Sequence, residues 1–218
     1  MLIDSGNIDI FNLYEGTGIF KGITTNPSIL LKEKLQRETV LQMFKGKGAE
    51  IIFVQIEGKS LAEMEKDFQD LKDSKYFNER VGIKIPVNLE GLKLISKIKS
   101  ENPKQIVLGT AVYSANQGIL AAQAGCDFLA FYVNRMENNH IDPYEEIKAT
   151  KQYIDSQNLK TKIMGASFKN TKQVTKTLSA GADTVTIPPE IVHSMLSNPL
   201  VEAAIDKFVG DSVKLKEK

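Results

Sequence analysis

One lysine sits in the middle of an apolar run, Val81-Gly82-Ile83-Lys84-Ile85-Pro86-Val87-Asn88, and of all the side chains in the sequence it is the best placed for covalent chemistry. Strand alternation puts Gly82, Lys84 and Pro86 on one face and Val81, Ile83, Ile85 and Val87 on the other, so both faces call for cover, as in a buried parallel strand. An unpaired ammonium is costly in a low-dielectric interior, and a lowered pKa that leaves a neutral amine relieves the cost. At the reference pKa only about one lysine in a few thousand is neutral at pH 7, so burial is how a protein makes a lysine that attacks carbonyls. The competing reading is that Lys84 ends its strand and pairs with a carboxylate. Other polar residues close short β-type runs in the same way: Asp4, Thr24 with Asn26, Gln55 with Glu57, Thr110, Tyr132 with Arg135, and Ser167 with Lys169. Any one of them reads equally well as a cap or a loop residue. Gathered around a buried amine, they suit a pocket that processes a carbonyl compound.

Eight such runs can be picked out. They are Leu2 to Ser5, Gly22 to Thr25, Ile51 to Ile56, the Lys84 run, Ile106 to Val112, Asp127 to Val133, Lys162 to Ser167 and Thr184 to Pro189. Helical patterns separate them. Asn7 to Tyr14 reads as a first helix, and Pro27 suits the first turn of a second through Leu31. Ser60 with Glu63 and Ser114 with Gln117 read as capping boxes, and Asn88 caps a helix with Leu89, Leu92, Ile95 and Ile98 on one face. Asn134 and Arg135 open a polar loop that reaches Pro143 and holds His140, read as solvated; a helix follows to about Gln157. Two last helices are expected around Glu190 to Leu196 and Val201 to Val209, with the lysines after Asp211 forming a frayed tail. Strands alternating with helices and no hairpin signal are the pattern of a (β/α)8 TIM barrel with an extra C-terminal helix. No composition break divides the chain, so residues 1–218 are read as one barrel domain, with 198–218 a terminal helix and tail. A doubly wound open sheet is the alternative, but it would ordinarily carry a glycine-rich fingerprint after the first strand, and none is present. In a barrel, the polar residues named above stand at the C-terminal strand ends, where such folds place their chemistry.

Composition narrows the function. With 28 Lys+Arg against 27 Asp+Glu, the net charge of +1 gives no long-range attraction to nucleic acid or to an anionic membrane. The start of the chain lacks a signal-peptide pattern and no run reaches membrane-spanning length, so a cytoplasmic protein is expected. Cys126 is the only cysteine, which excludes internal disulfides, and with His140 and His193 as the only histidines a protein-held zinc is not expected. Lys45-Gly46-Lys47-Gly48 precedes a strand, whereas a phosphate loop follows one, so it reads as a solvated turn.

Five motifs in order along nearly the whole chain carry a family resemblance. They are Gly22-Ile23-Thr24-Thr25-Asn26-Pro27-Ser28, Val81-Gly82-Ile83-Lys84-Ile85-Pro86, Leu108-Gly109-Thr110-Ala111-Val112-Tyr113, Tyr132-Val133-Asn134-Arg135 and Ala166-Ser167-Phe168-Lys169. Together they resemble the small transaldolase family, and within it the fructose-6-phosphate aldolase branch. The resemblance implies a class I mechanism on a barrel, with no metal and no dissociable cofactor. It makes Lys84 the Schiff-base nucleophile and Asp4 the residue that orients substrate hydroxyls and helps proton transfer. Thr24 joins the substrate-binding set, Asn26 and Thr110 hold the carbinolamine and the attached three-carbon unit, and Arg135, Ser167 and Lys169 resemble the phosphate site. The residue types fit, since a guanidinium fork, a hydroxyl and an ammonium all donate to a phosphate dianion.

Transaldolases of this family place a glutamate on the third strand and a phenylalanine on the sixth, whereas the aldolase branch has glutamine and tyrosine. This chain has Gln55 and Tyr132. A tyrosine hydroxyl and a water held by Gln55 would then protonate and release the enamine. Phe131 stands where the family usually has proline, and by alternation it points away from the Tyr132 face, toward helix packing. Glu57 shares parity with Gln55 and would reach the pocket if the strand ran on. The preferred expectation is reversible aldol cleavage of fructose 6-phosphate or a similar ketose to a dihydroxyacetone-type donor and a glyceraldehyde 3-phosphate-type aldehyde. The alternatives are a transaldolase that transfers the dihydroxyacetone unit, as in the pentose phosphate pathway, and a non-catalytic sugar-phosphate binder. Expected partners are a small-molecule sugar phosphate and further copies of the chain. Val201, Ala204, Ile205, Phe208 and Val209 line one helix face with no strand after it. That face either folds back on its own barrel or, as the resemblance suggests, lies on a neighbour in a pentamer or decamer.

Overall fold

A computed structural model describes residues 1–216. The strands are β1 (Leu2–Ile3), β2 (Gly22–Thr24), β3 (Ile51–Gln55), β4 (Val81–Pro86), β5 (Val107–Val112), β6 (Phe128–Tyr132), β7 (Lys162–Ala166) and β8 (Thr184–Ile187). Each pairs in parallel with its sequence neighbours and β8 closes on β1, giving a closed (β/α)8 barrel. The helices are α1 (Ile8–Leu13), α2 (Pro27–Glu33), α3 (Arg37–Phe44), α4 (Leu61–Lys72), α5 (Leu89–Glu101), α6 (Ala115–Gln123), α7 (Val133–Asn138), α8 (Pro143–Ser156), α9 (Thr171–Ser179), α10 (Pro189–Leu196) and the terminal α11 (Pro199–Lys216). Among the described residues, no helix is long and apolar enough to cross a membrane.

Alternation sorts the strand side chains into two layers. Leu2, Phe53, Leu108, Ala130, Met164 and Ala166 fill the barrel interior, while Ile3, Ile23, Val54, Ile83, Ile85, Leu129, Phe131, Ile163 and Val185 face the helices. Gly82 is what lets the interior close, because a Cβ there would stand 2.5 Å from the Phe53 ring. Phe53 and Phe128 meet edge to face at 5.5 Å and form an apolar layer inside the barrel. Phe131 faces outward as its parity requires, and Gly118 on α6 makes room for it: a Cβ on Gly118 would be 3.1 Å from the ring.

Several expectations need correction. The chain after Tyr132 is a helix, α7, and not a polar loop; it begins at the strand end with no side-chain cap to announce it. Helix α3 is an addition to the expected elements for a related reason, since Gln36 offers no capping bond, although Val40, Leu41 and Phe44 are spaced as a buried helical face. On α5 the buried face is Gly91, Leu94, Ile95 and Ile98, and Leu89 is 67% exposed at the first turn. Ser114 accepts from the Gln117 amide, but the Gln117 side chain takes the amide of Tyr113 and not that of Ser114, so the capping box is only half made. Ser60 and Glu63 complete theirs. Helix α11 continues through Lys216 where a frayed tail was expected, and none of its residues is buried, so it does not fold back on its own barrel. The last lysine of the expected tail, Lys218, lies outside the described residues.

Candidate active site

Lys84 stands on the interior face of β4, above Gly82 and in register with Gln55 on β3. It is 4% exposed, and its Nζ donates to the carbonyl of Thr25 at 2.7 Å. Burial pushes its pKa from 10.5 down to about 8, against the attraction of the Asp4 carboxylate, which holds it up. The amine is therefore still mostly protonated at pH 7. A drop of this size nevertheless enlarges the neutral, nucleophilic fraction by about two orders of magnitude.

Asp4 follows β1 directly. Thr24 Oγ1 donates to its Oδ1 at 2.7 Å and also meets Thr186 Oγ1 at 2.5 Å, which ties the ends of β1, β2 and β8 together. Burial raises the Asp4 pKa, with Lys84 and the Thr24 hydroxyl pulling the other way. Burial thus shifts the carboxyl up and the amine down, toward each other, while their mutual attraction opposes both shifts. Glu33 at the end of α2 fixes the turn beyond Asp4, accepting from Ser5 Oγ at 2.5 Å and from the Gly6 amide at 2.8 Å. Asn26 caps α2 through Oδ1, which accepts from the Ile29 amide at 3.0 Å and leaves the side-chain NH2 free to donate.

Between Gly109 and Val112 the pairing of β5 with β6 slips, and Ala111 takes a left-handed φ of 58°. Irregularities of this kind re-aim side chains beside sites. Here the result is a hydrogen bond of 2.8 Å between Thr110 Oγ1 and the Tyr132 hydroxyl. Tyr113 meets the Tyr132 ring edge to face at 5.6 Å, and the Arg135 guanidinium lies 4.9 Å from its centroid. Burial raises the Tyr132 pKa above its ordinary value, so the phenol keeps its proton through neutral pH. Gln55 is held through its backbone: its carbonyl accepts from Arg37 at 3.1 Å, while Arg37 grips both oxygens of Asp67 at 2.7 and 2.8 Å. Asp67 in turn accepts the Glu57 amide at 2.8 Å, and Glu57 is exposed and takes no part in the cavity wall.

Ser167, after β7, has a φ of 62°, a left-handed conformation costly for a residue with a Cβ. The turn buries Phe168 in the outer core and leaves Ser167 and Lys169 bordering the cavity next to Arg135 from the adjacent strand end. The cavity holds about 720 Å³, within the usual range for small-molecule sites. Asp4, Thr24, Asn26, Gln55, Lys84, Thr110, Tyr132, Arg135, Ser167 and Lys169 all line it, so the structure brings together every expected site residue and leaves out only Glu57. Thr186 and Glu33 also line the cavity and were not among the expected site residues. Thr186 was available from the alternation of Thr184-Val185-Thr186-Ile187, whereas nothing near Glu33 in the chain signals that it reaches back to the first loop.

Known proteins resemble this chain along nearly its whole length. The family described as transaldolase/fructose-6-phosphate aldolase matches residues 1–217. Among curated relatives, a probable fructose-6-phosphate aldolase of Streptococcus pneumoniae is 34% identical over 96% of this chain and 94% of its own length. A probable transaldolase of Symbiobacterium thermophilum is 30% identical over 97% and 95%, and one of Desulforudis audaxviator is 31% identical over 100% and 99%. With the match running from end to end and the barrel closed around a buried lysine, the chain belongs to the transaldolase/fructose-6-phosphate aldolase family.

Proposed function

We propose that this protein is a class I aldolase that reversibly cleaves fructose 6-phosphate or a similar ketose. The observation that carries the reading is the placement of the Tyr132 hydroxyl, hydrogen-bonded to Thr110, in the cavity of Lys84, with an amide at Gln55 in register with that lysine and no carboxylate there. The neutral Lys84 amine adds to the ketone carbon, and loss of water from the carbinolamine gives an iminium ion. The bond between C3 and C4 then breaks: its electron pair flows into the iminium as the C4 hydroxyl loses its proton, leaving an aldehyde and an enamine on Lys84. Protonation of the enamine at C3 by Tyr132, or by a water that Gln55 holds, restores the iminium. Hydrolysis then frees the three-carbon ketone and the amine. Asp4 serves the proton transfers of imine formation, Thr24 keeps Asp4 in place, and Asn26 and Thr110 hold the hydroxyls of the donor unit. Arg135, Ser167 and Lys169 receive the phosphate.

Transaldolase is the second reading, and the names of several relatives favour it. The two reactions share the lysine and differ in whether the enamine is protonated or waits for another aldehyde. Incubation with fructose 6-phosphate separates them: free dihydroxyacetone in excess of active sites without any acceptor supports cleavage, whereas no free dihydroxyacetone, with a new ketose formed only when an acceptor aldehyde is added, supports transfer. Gln55→Glu should shift the ratio of cleavage to transfer toward transfer. An unchanged ratio would remove Gln55 from the proton path.

We further propose that α11 docks on a second copy of the chain. Phe208 is 67% and Val209 59% exposed on a stripe shared with Val201, Ile205 and Val213. Covering Phe208 alone is worth about 1.5 to 3 kcal/mol, and a closed ring repeats that gain at every subunit. Truncation after Asn198 should therefore lower the particle mass in light scattering, and a truncated chain with the parent's particle mass would refute the assignment.

A further inference from the structure

Gln173, on the first turn of α9, is absent from the cavity wall yet is 3% exposed and fully engaged. Its Oε1 accepts the backbone amide of Lys169 at 2.7 Å, and its Nε2 donates to Asn134 Oδ1 at 3.1 Å and to Glu137 Oε2 at 2.6 Å. The carbonyl meets a donor and the two amide hydrogens meet two acceptors, so the reversed amide would set oxygen against oxygen and amide against amide. These partners matter because of where they stand. Asn134 and Glu137 flank Arg135 on α7, and Lys169 lies two residues beyond Ser167. The Asn134 backbone N–H donates to the Ser167 carbonyl at 3.1 Å, at a residue held in the left-handed region. Tyr144 on α8 donates to the other Glu137 oxygen at 2.7 Å and fixes the carboxylate from outside. Helix α7 after β6 and the turn after β7 are thus tied to each other by the buried Gln173 amide as well as by the Asn134–Ser167 backbone bond.

We infer that Gln173 is a positioning residue that sets the spacing of Arg135, Ser167 and Lys169 and thereby the preference for phosphorylated over unphosphorylated substrates. The inference rests on the reading of those three residues as the phosphate site. A strained turn and a separate helix must present a guanidinium, a hydroxyl and an ammonium to one dianion, and charge-assisted hydrogen bonds lose their advantage when the donors are mis-set by a fraction of an ångström. A residue that only supported the fold would affect every substrate alike. Gln173 should affect only those that carry the phosphate.

The test compares KM and kcat for glyceraldehyde 3-phosphate and for glyceraldehyde as acceptors with dihydroxyacetone. Gln173→Met and Gln173→Glu should raise KM for the phosphorylated aldehyde at least tenfold, with less than a twofold change in kcat or in KM for glyceraldehyde. Gln173→Glu faces the Glu137 carboxylate, and combining it with Glu137→Gln exchanges donor and acceptor across the same contact, so the double variant should recover much of the lost preference. Equal losses on both aldehydes, or no rescue in the double variant, would overturn the inference; the double variant also decides the matter if Gln173→Met fails to fold. Arg135→Ala separates this from the underlying reading. If it too leaves the preference intact, or if the parent enzyme has none, the phosphate site itself is misassigned. If it abolishes the preference while the Gln173 variants keep it, only the positioning role falls.

Discussion

Lys84→Met should reduce turnover to background, a loss on the order of 10⁴- to 10⁶-fold, because removing the nucleophile of a covalent mechanism leaves binding alone. Methionine is close in length and suits the buried position, so the barrel should survive and the loss should lie in chemistry. The lysine's environment makes a second demand on the same residue. Imine formation consumes the neutral amine, and with a pKa of about 8 the trapping rate should climb about tenfold per pH unit below that value and level off above it. The Asp4 charge is what opposes the effect of burial on Lys84, so Asp4→Asn should move this midpoint downward. A midpoint that stayed near 10.5, or a shift upward in Asp4→Asn, would contradict the pairing.

Tyr132→Phe carries the other large expected effect. The ring keeps its contacts with Tyr113 and Arg135, and only the hydroxyl that bonds Thr110 is lost. If that hydroxyl protonates the enamine, release of the donor should slow by about 10²- to 10⁴-fold, the range expected for a positioned acid or base. Imine trapping should persist, because the Lys84 amine is untouched. Rapid-quench measurement of both steps decides the role: equal loss of trapping and release would make Tyr132 a binding residue.

The barrel was legible because its signal is local and repeated. Apolar strands ended in polar residues, and capped helices lay between them, so topology followed from order alone. The site was legible for the same reason, since a strand end fixes which side chain faces the interior, and Lys84 betrayed itself as a charge inside an apolar run. What the sequence hid was non-local or lacked a cap. Helix α7 starts without a capping side chain, so Arg135 was expected on a loop although it rides on a helix. Glu57 had the parity to reach the cavity, but β3 ends at Gln55 and the Arg37–Asp67 pair turns the backbone away at that point. Glu33 and Gln173 act through chain segments far from them in sequence, and periodicity carries no trace of such contacts. Leu89 looked like core by spacing and is exposed because the burial stripe on α5 runs through Gly91, whose missing side chain admits the Pro86 carbonyl close to the helix.

Covalent catalysis by Lys84 is the claim on which the rest depends, and borohydride reduction of the parent enzyme in the presence of fructose 6-phosphate, followed by peptide mass mapping, tests it most directly. The account predicts one added three-carbon donor mass per subunit, on the peptide that contains Lys84, and none when the ketose is omitted. An active enzyme that yields no adduct, or an adduct on another lysine, would contradict it.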